Sequence, residues 1–122
     1  MSDEFLKVAR QEIWSELDKL EQIVSHCNDD EHILRNSKRI KDHLHKIKGL
    51  APMIGQEKVG EIAKTSDDVL KYIIGNGMLP GSCHVITRAI DDMKKVFQGV
   101  NDYDMASFKR LVRDKFPNVP NA

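Results

Sequence analysis

Cysteine is nearly missing from this sequence: its 122 residues hold two, Cys27 and Cys83. Two thiols do not make the disulfide framework on which small secreted domains rely. Neither has a second Cys or a His at metal-finger spacing. Net charge is missing as well, with 19 Lys+Arg against 19 Asp+Glu. That balance excludes a broad polyanion-binding surface, so neither nucleic acid nor an anionic membrane is an expected partner. Aromatics are few (one Trp, two Tyr, four Phe) and most sit at core spacing, which leaves no base-stacking platform. No apolar run approaches the ~20 residues that cross a bilayer, and no membrane insertion is expected. The start, Met1-Ser2-Asp3-Glu4, is acidic and lacks an export-leader pattern. The expectation is therefore a cytoplasmic protein with both thiols reduced.

What is present reads as helix throughout. Hydrophobic residues make up 40% and charged residues 31%, an ordinary globular balance. The length fits one domain over 1–122, with Asn118 to Ala122 as a frayed tail or the start of a linker. Leu6, Ala9, Ile13, Leu17, Leu20 and Val24 recur at steps of three and four, one face of a first helix. Asn28-Asp29-Asp30 breaks it and caps a second, which carries Ile33, Ile40, Leu44, Ile47 and Ala51 toward Gly55. A third, with Val59, Ile62, Ser66, Val69, Leu70 and Ile73, ends at Gly75-Asn76-Gly77. Pro80-Gly81-Ser82 opens a fourth, from Val85 to Phe97, and a short fifth holds Met105, Phe108, Leu111 and Val112. Short connections make neighbouring helices antiparallel, so the expected fold is all-α: an up-down four-helix bundle with a fifth helix appended.

The zero net charge is a sum of unequal parts. Residues 1–31 hold nine acids and three bases, residues 32–50 six bases and one acid, and residues 51–122 ten bases and nine acids. On a wheel of about 100° per residue with His45 at zero, Ile40, Leu44, Ile47, Ala51 and Ile54 fall between about 180° and 260° and form the core face. Lys38, Lys41, His45, Lys48, Gly49 and Pro52 fall within about 60° of zero. Two residues there break helix rules. Gly49 costs about 1 kcal/mol relative to Ala within a helix, and Pro52 costs about 3 kcal/mol unless the helix ends before it. Rules broken together on one face often mark a functional site. Small residues beside His45 leave its imidazole open to a large partner, and the lysines favour an anion. The bland alternative is a solvated lysine face with an inert histidine.

The stretch His45-Lys46-Ile47-Lys48-Gly49-Leu50-Ala51-Pro52-Met53-Ile54-Gly55 resembles the signature of histidine-containing phosphotransfer (Hpt) domains: His-x-x-Lys-Gly, a small residue, then Gly near the helix turn. Ala89-Ile90-Asp91-Asp92-Met93 and the fifth helix are most similar to the N-terminal phosphotransfer domain of CheA-type chemotaxis kinases. The resemblance implies that His45 accepts a phosphoryl group from a histidine kinase catalytic domain and passes it to a response-regulator receiver domain. The attacking atom would be Nε2 of the neutral ring. Lys48 would neutralise phosphate oxygens and Gly49 would give clearance, while Pro52 and Met53, with Lys38 and Lys41, would meet the partner. This chain would bind no cofactor of its own, with ATP and Mg on the partner domains, and would be monomeric as an isolated domain.

Asp67 stands about 18 Å beyond Gly55 and His45 about 15 Å before it, at 1.5 Å rise per residue, so antiparallel helices set them at one level. It either orients His45 through Nδ1–H or pairs with Lys64 or Lys71 on its own helix. In the CheA-type subfamily a glutamate occupies the matching position, one methylene longer. Lys64 reaches the same level and either extends the anion-favouring surface or is merely solvated. His43 lies on the far side of the helix from His45, so the two cannot chelate one metal. A zinc site from His43, His32 or His84 has no support in spacing, and His26 reads as inert. The Glu-x-x-His pairs of di-iron bundles are missing: Asp42 and His45 share that spacing once, with no second copy. The competing functional class is a helical adaptor whose basic stripe docks an acidic partner without chemistry.

Overall fold

The computed structural model describes residues 2–120 and contains six α-helices, with no strand among the described residues. Helix α1 (Asp3–Val24) starts where Ser2 Oγ accepts from the Phe5 N–H, and Asp3 and Glu4 favour the positive end of its dipole. Helix α2 (Asp30–Arg35) is capped by Asp29, whose carboxylate accepts from the His32 N–H at 3.0 Å. Helix α3 (Ser37–Leu50) carries the basic segment, and a 3-10 turn over Pro52–Ile54 follows it. Helix α4 (Glu57–Asn76) ends at Gly77, whose φ of 99° only glycine adopts readily. Helices α5 (Ser82–Phe97) and α6 (Met105–Lys115) complete the chain.

Three expectations are corrected. The helix expected from residue 30 to Gly55 is two helices and a 3-10 turn. Asn36 leaves helical geometry at φ −106° and ψ 13° while its amide donates to the His32 carbonyl, which separates α2 from α3. At the other end the helix stops at Leu50, so Pro52 opens a 3-10 turn and escapes the penalty of a helix interior. The cysteines are not free thiols. The end of α1 and the start of α5 lie together, the Cα atoms of Cys27 and Cys83 are 6.2 Å apart, and their sulfurs are bonded. Nor does the chain fray from Asn118 onward: Val119 is buried, and its N–H donates to the Phe116 carbonyl. Asn121 and Ala122 lie outside the described residues.

The buried apolar side chains form one cluster drawn from all six helices, including Ile13, Leu17, Leu20, Ile33, Ile40, Leu44, Ile47, Ile62, Leu70, Ile86 and Phe108. Burial of such side chains contributes about 1.5–3 kcal/mol each. Helix α3 packs on α1 and α4, and α5 closes the ring by packing on α4 and α1, so α3 has two flanks. The α1–α5 seam is held by Trp14 stacked on Phe97 at 6.0 Å and by Lys94, which bonds Asp18 and Glu21. Asp30 fastens the start of α5, its carboxylate accepting from the Gly81 and Cys83 N–H groups at 2.9 Å each. No helix is long and apolar enough to cross a membrane.

Candidate functional site

Helix α3 turns Ile40, Leu44 and Ile47 fully inward, and this fixes what its other faces show. His45 is exposed near the middle of the helix, as are Lys38 and Gly49, while Lys41 is half-buried. A Cβ built on Gly49 would meet nothing within 4 Å, so the space beside His45 is open. Beyond the helix end, Pro52 and Met53 are exposed, Met53 at 52%, a large apolar side chain offered to solvent.

Lys48 is not the simply solvated lysine of the helical wheel. Its side chain is 27% exposed and its Nζ donates to Asp67 Oδ2 at 3.0 Å. Lys71, one turn along α4, reaches the same oxygen at 3.2 Å. Asp67 is fully buried at the α3–α4 seam. Of the two alternatives for Asp67, the pairing with Lys71 on its own helix is present: Asp67 makes no hydrogen bond to His45, and Lys48 from α3 joins Lys71 on its carboxylate. Its other oxygen, Oδ1, is buried with no partner. An unpaired buried acceptor costs about 1–3 kcal/mol and marks a place where structure has been held for some other reason. Lys64 is exposed and forms no ion pair among the described residues.

Gly60 on α4 explains the position of the turn. A Cβ there would sit 3.0 Å from Pro52 Cδ and Cγ, so glycine lets the proline ring lie against the helix without displacing it. The turn beyond His45 is thus seated by a glycine that the motif does not include.

The second carboxylate site was not found by sequence reasoning. Glu16 on α1 is fully buried, and it accepts a short hydrogen bond from His43 Nδ1–H and a longer one from Lys46 Nζ at 3.3 Å. Burial alone would raise its pKa, but the bonds and charges of His43 and Lys46 hold it below the ordinary value. A signal was present: Glu16 lies three residues after Ile13 and four before Leu20, inside the apolar stripe of α1. A charge in that stripe needs a partner from the facing helix.

Among the described residues no three His, Cys, Asp or Glu side chains come together as a metal site. A groove of about 810 Å³ runs along α5 past Cys83, Arg88 and Asp91, and His45 does not line it. The imidazole is presented outward on the helix surface, which suits chemistry with a macromolecular partner more than with an enclosed small molecule. Comparison of the chain with protein-family models, curated proteins and solved structures returned no match.

Proposed function

We propose that this chain is a histidine phosphotransfer domain. His45 receives a phosphoryl group from the catalytic domain of a histidine kinase and hands it to an aspartate of a response-regulator receiver domain. The observation that carries this reading is an exposed imidazole with open space at Gly49 and, one turn on, a lysine ammonium anchored by a buried carboxylate. In-line phosphoryl transfer depends mostly on positioning and charge stabilisation. His45 Nε2 attacks the γ-phosphorus of ATP held by the kinase; the N–P bond forms as the P–O bond to ADP breaks, and Nδ1 keeps its proton. The receiver carboxylate then attacks phosphorus, and the N–P bond breaks as the acyl phosphate forms. Lys48 neutralises phosphate oxygens in both steps, Asp67 is a positioning residue that acts through Lys48, and Lys64 adds charge at the rim. Lys38, Lys41, Pro52 and Met53 form the docking surface.

ATP and Mg belong to the partners in this scheme, and the setting is the cytoplasm. The overall arrangement we infer is an antiparallel up-down bundle of α1, α3, α4 and α5 with α6 appended, supported by the closed ring of helix packing. Of a stand-alone relay and the first domain of a CheA-type kinase, we favour the second on the resemblance of Ala89–Met93.

The test is to mix the protein with an ATP-fed kinase catalytic domain, or with a phosphorylated receiver, and assay an acid-labile, base-stable adduct. Adduct that disappears in His45→Gln is the expected result. Adduct that persists in His45→Gln overturns the reading. No adduct with any donor, together with partner binding that His45→Gln leaves intact, favours the adaptor.

A further inference from the structure

The flank of α3 opposite His45 borders a groove of about 440 Å³ between the second half of α1, α2 and the first half of α3. Nitrogen-bearing side chains dominate its walls: Lys19, Gln22 and His26 from the α1 side, His32 from α2, Arg39 and His43 from α3. No Asp or Glu lines it. Glu16, buried behind His43, bonds His43 and Lys46 and lies 3.8 Å from Lys19 Nζ, and Asp29 nearby accepts from the His32 N–H. The groove therefore carries the fixed positive charges of Lys19 and Arg39, and Glu16, the carboxylate that pairs with Lys19, is shared with His43 and Lys46.

Arg39 and Lys19 are held so that they keep donor capacity. His43 gives Nδ1–H to Glu16, and its Nε2, on a side chain 19% exposed, accepts in the neutral ring and donates only to an anion bound by the protonated ring. Arg39 uses one nitrogen on Asn36 Oδ1 and retains the other guanidinium donors. Lys19 Nζ stands 3.8 Å from Glu16 Oε1, outside hydrogen-bond reach, on a side chain 52% exposed. His32 Nε2 donates to the Ile23 carbonyl at 2.7 Å and fixes the wall of the groove. A metal ion is a poor occupant, because two permanent cations repel it and no three-ligand group exists among the described residues. A carboxylate has two oxygens, fewer than the donors available. A phosphate group has three terminal oxygens and nearly two negative charges, and matches an arginine fork set against a lysine.

We propose that the α1–α3 groove binds a small phosphate-bearing anion, with Arg39 and Lys19 as its principal contacts and His43, braced by Glu16, as a third. This does not rest on the reading of His45.

Backbone-amide NMR titration with inorganic phosphate and with pyrophosphate, against acetate as control, tests it. The expected result is saturable shifts in residues of α1, α2 and α3 that line the groove, stronger for pyrophosphate and absent with acetate. Lys19→Gln and Arg39→Gln change exposed side chains and leave the core intact; each weakens binding about tenfold, equivalent to about 1.4 kcal/mol, while His45→Gln changes nothing. Shifts confined to the surface of His45, Lys48 and Lys64, shifts of the same size with acetate, or no saturable shift at all overturn the proposal.

Discussion

Two histidines stand two residues apart on α3, and each flank of that helix faces a buried carboxylate from a neighbouring helix. On the α1 side the carboxylate, Glu16, takes the imidazole of His43 directly, with Lys46 as a second partner. On the α4 side the carboxylate, Asp67, takes lysines, Lys48 and Lys71, and leaves the imidazole of His45 unbound and exposed. The same side chain is a structural donor on one flank and a presented nucleophile on the other. Each histidine has a lysine three positions on, Lys46 and Lys48, so the difference lies in which side chain reaches the facing carboxylate and not in the residue types of α3.

The largest expected effect separates the flanks by chemistry. Lys48→Ala should slow phosphorylation of His45 about 100- to 1,000-fold, the range for losing a charge-stabilising donor at a reacting group. It should also cost about 1 kcal/mol in urea melts, because buried Asp67 keeps only Lys71. Lys46→Ala, the corresponding change on the other flank, should leave the phosphorylation rate unchanged. Equal slowing in both variants would erase the comparison.

Stability should separate them next. Glu16→Gln should cost about 1–3 kcal/mol, since the His43 and Lys46 bonds lose a charged acceptor. The pH dependence carries a definite sign. Glu16 has a folded-state pKa below its unfolded value, so its contribution is fully present above the unfolded value and is lost as pH falls through the folded one. Acid titration of stability should therefore be flatter in Glu16→Gln than in the parent protein. An unchanged acid limb would show that the His43 pair does not hold Glu16 ionised.

Two glycines sharpen the α4 flank. Gly60→Ala places a Cβ against the Pro52 ring and should cost about 1–3 kcal/mol through overpacking. Gly49→Ala meets open space and should stabilise the protein by up to about 1 kcal/mol through helix propensity. If Gly49 supplies clearance, the same variant loses phosphotransfer while gaining stability. A variant both more stable and fully active would leave Gly49 without that role.

Helical periodicity was legible because one face of each long helix is mostly apolar, and Ile40, Leu44 and Ile47 alone place His45 outward. The break at Asn36 was masked: asparagine favours caps and turns, but helix formers stand on both sides of it, and its side chain acts through the His32 carbonyl and Arg39. Pro52 was half legible. Its conflict with helix geometry was plain, but the ring's seat on Gly60 depends on a residue of another helix. The Asp67 level followed from helix rise, while its choice of Lys48 over His45 depends on side-chain reach across the seam. The Cys27–Cys83 bond joins residues 56 apart in sequence, and only tertiary packing brings them together. Glu16 was visible as a charge inside an apolar stripe, and the facing histidine was its missing half.

The most direct measurement needs no cognate partner. Incubating the protein with a small phosphoramidate donor and following each imidazole by NMR gives a separate phosphorylation rate for each histidine. His26, His45 and His84 are all exposed, so access alone does not distinguish them. The result predicted is preferential phosphorylation at His45 Nε2, with the preference abolished by Lys48→Ala and His43 unmodified while Glu16 holds it. Equal rates at His26, His45 and His84, or faster reaction at His43, would contradict the assignment of His45 as the phosphoryl acceptor.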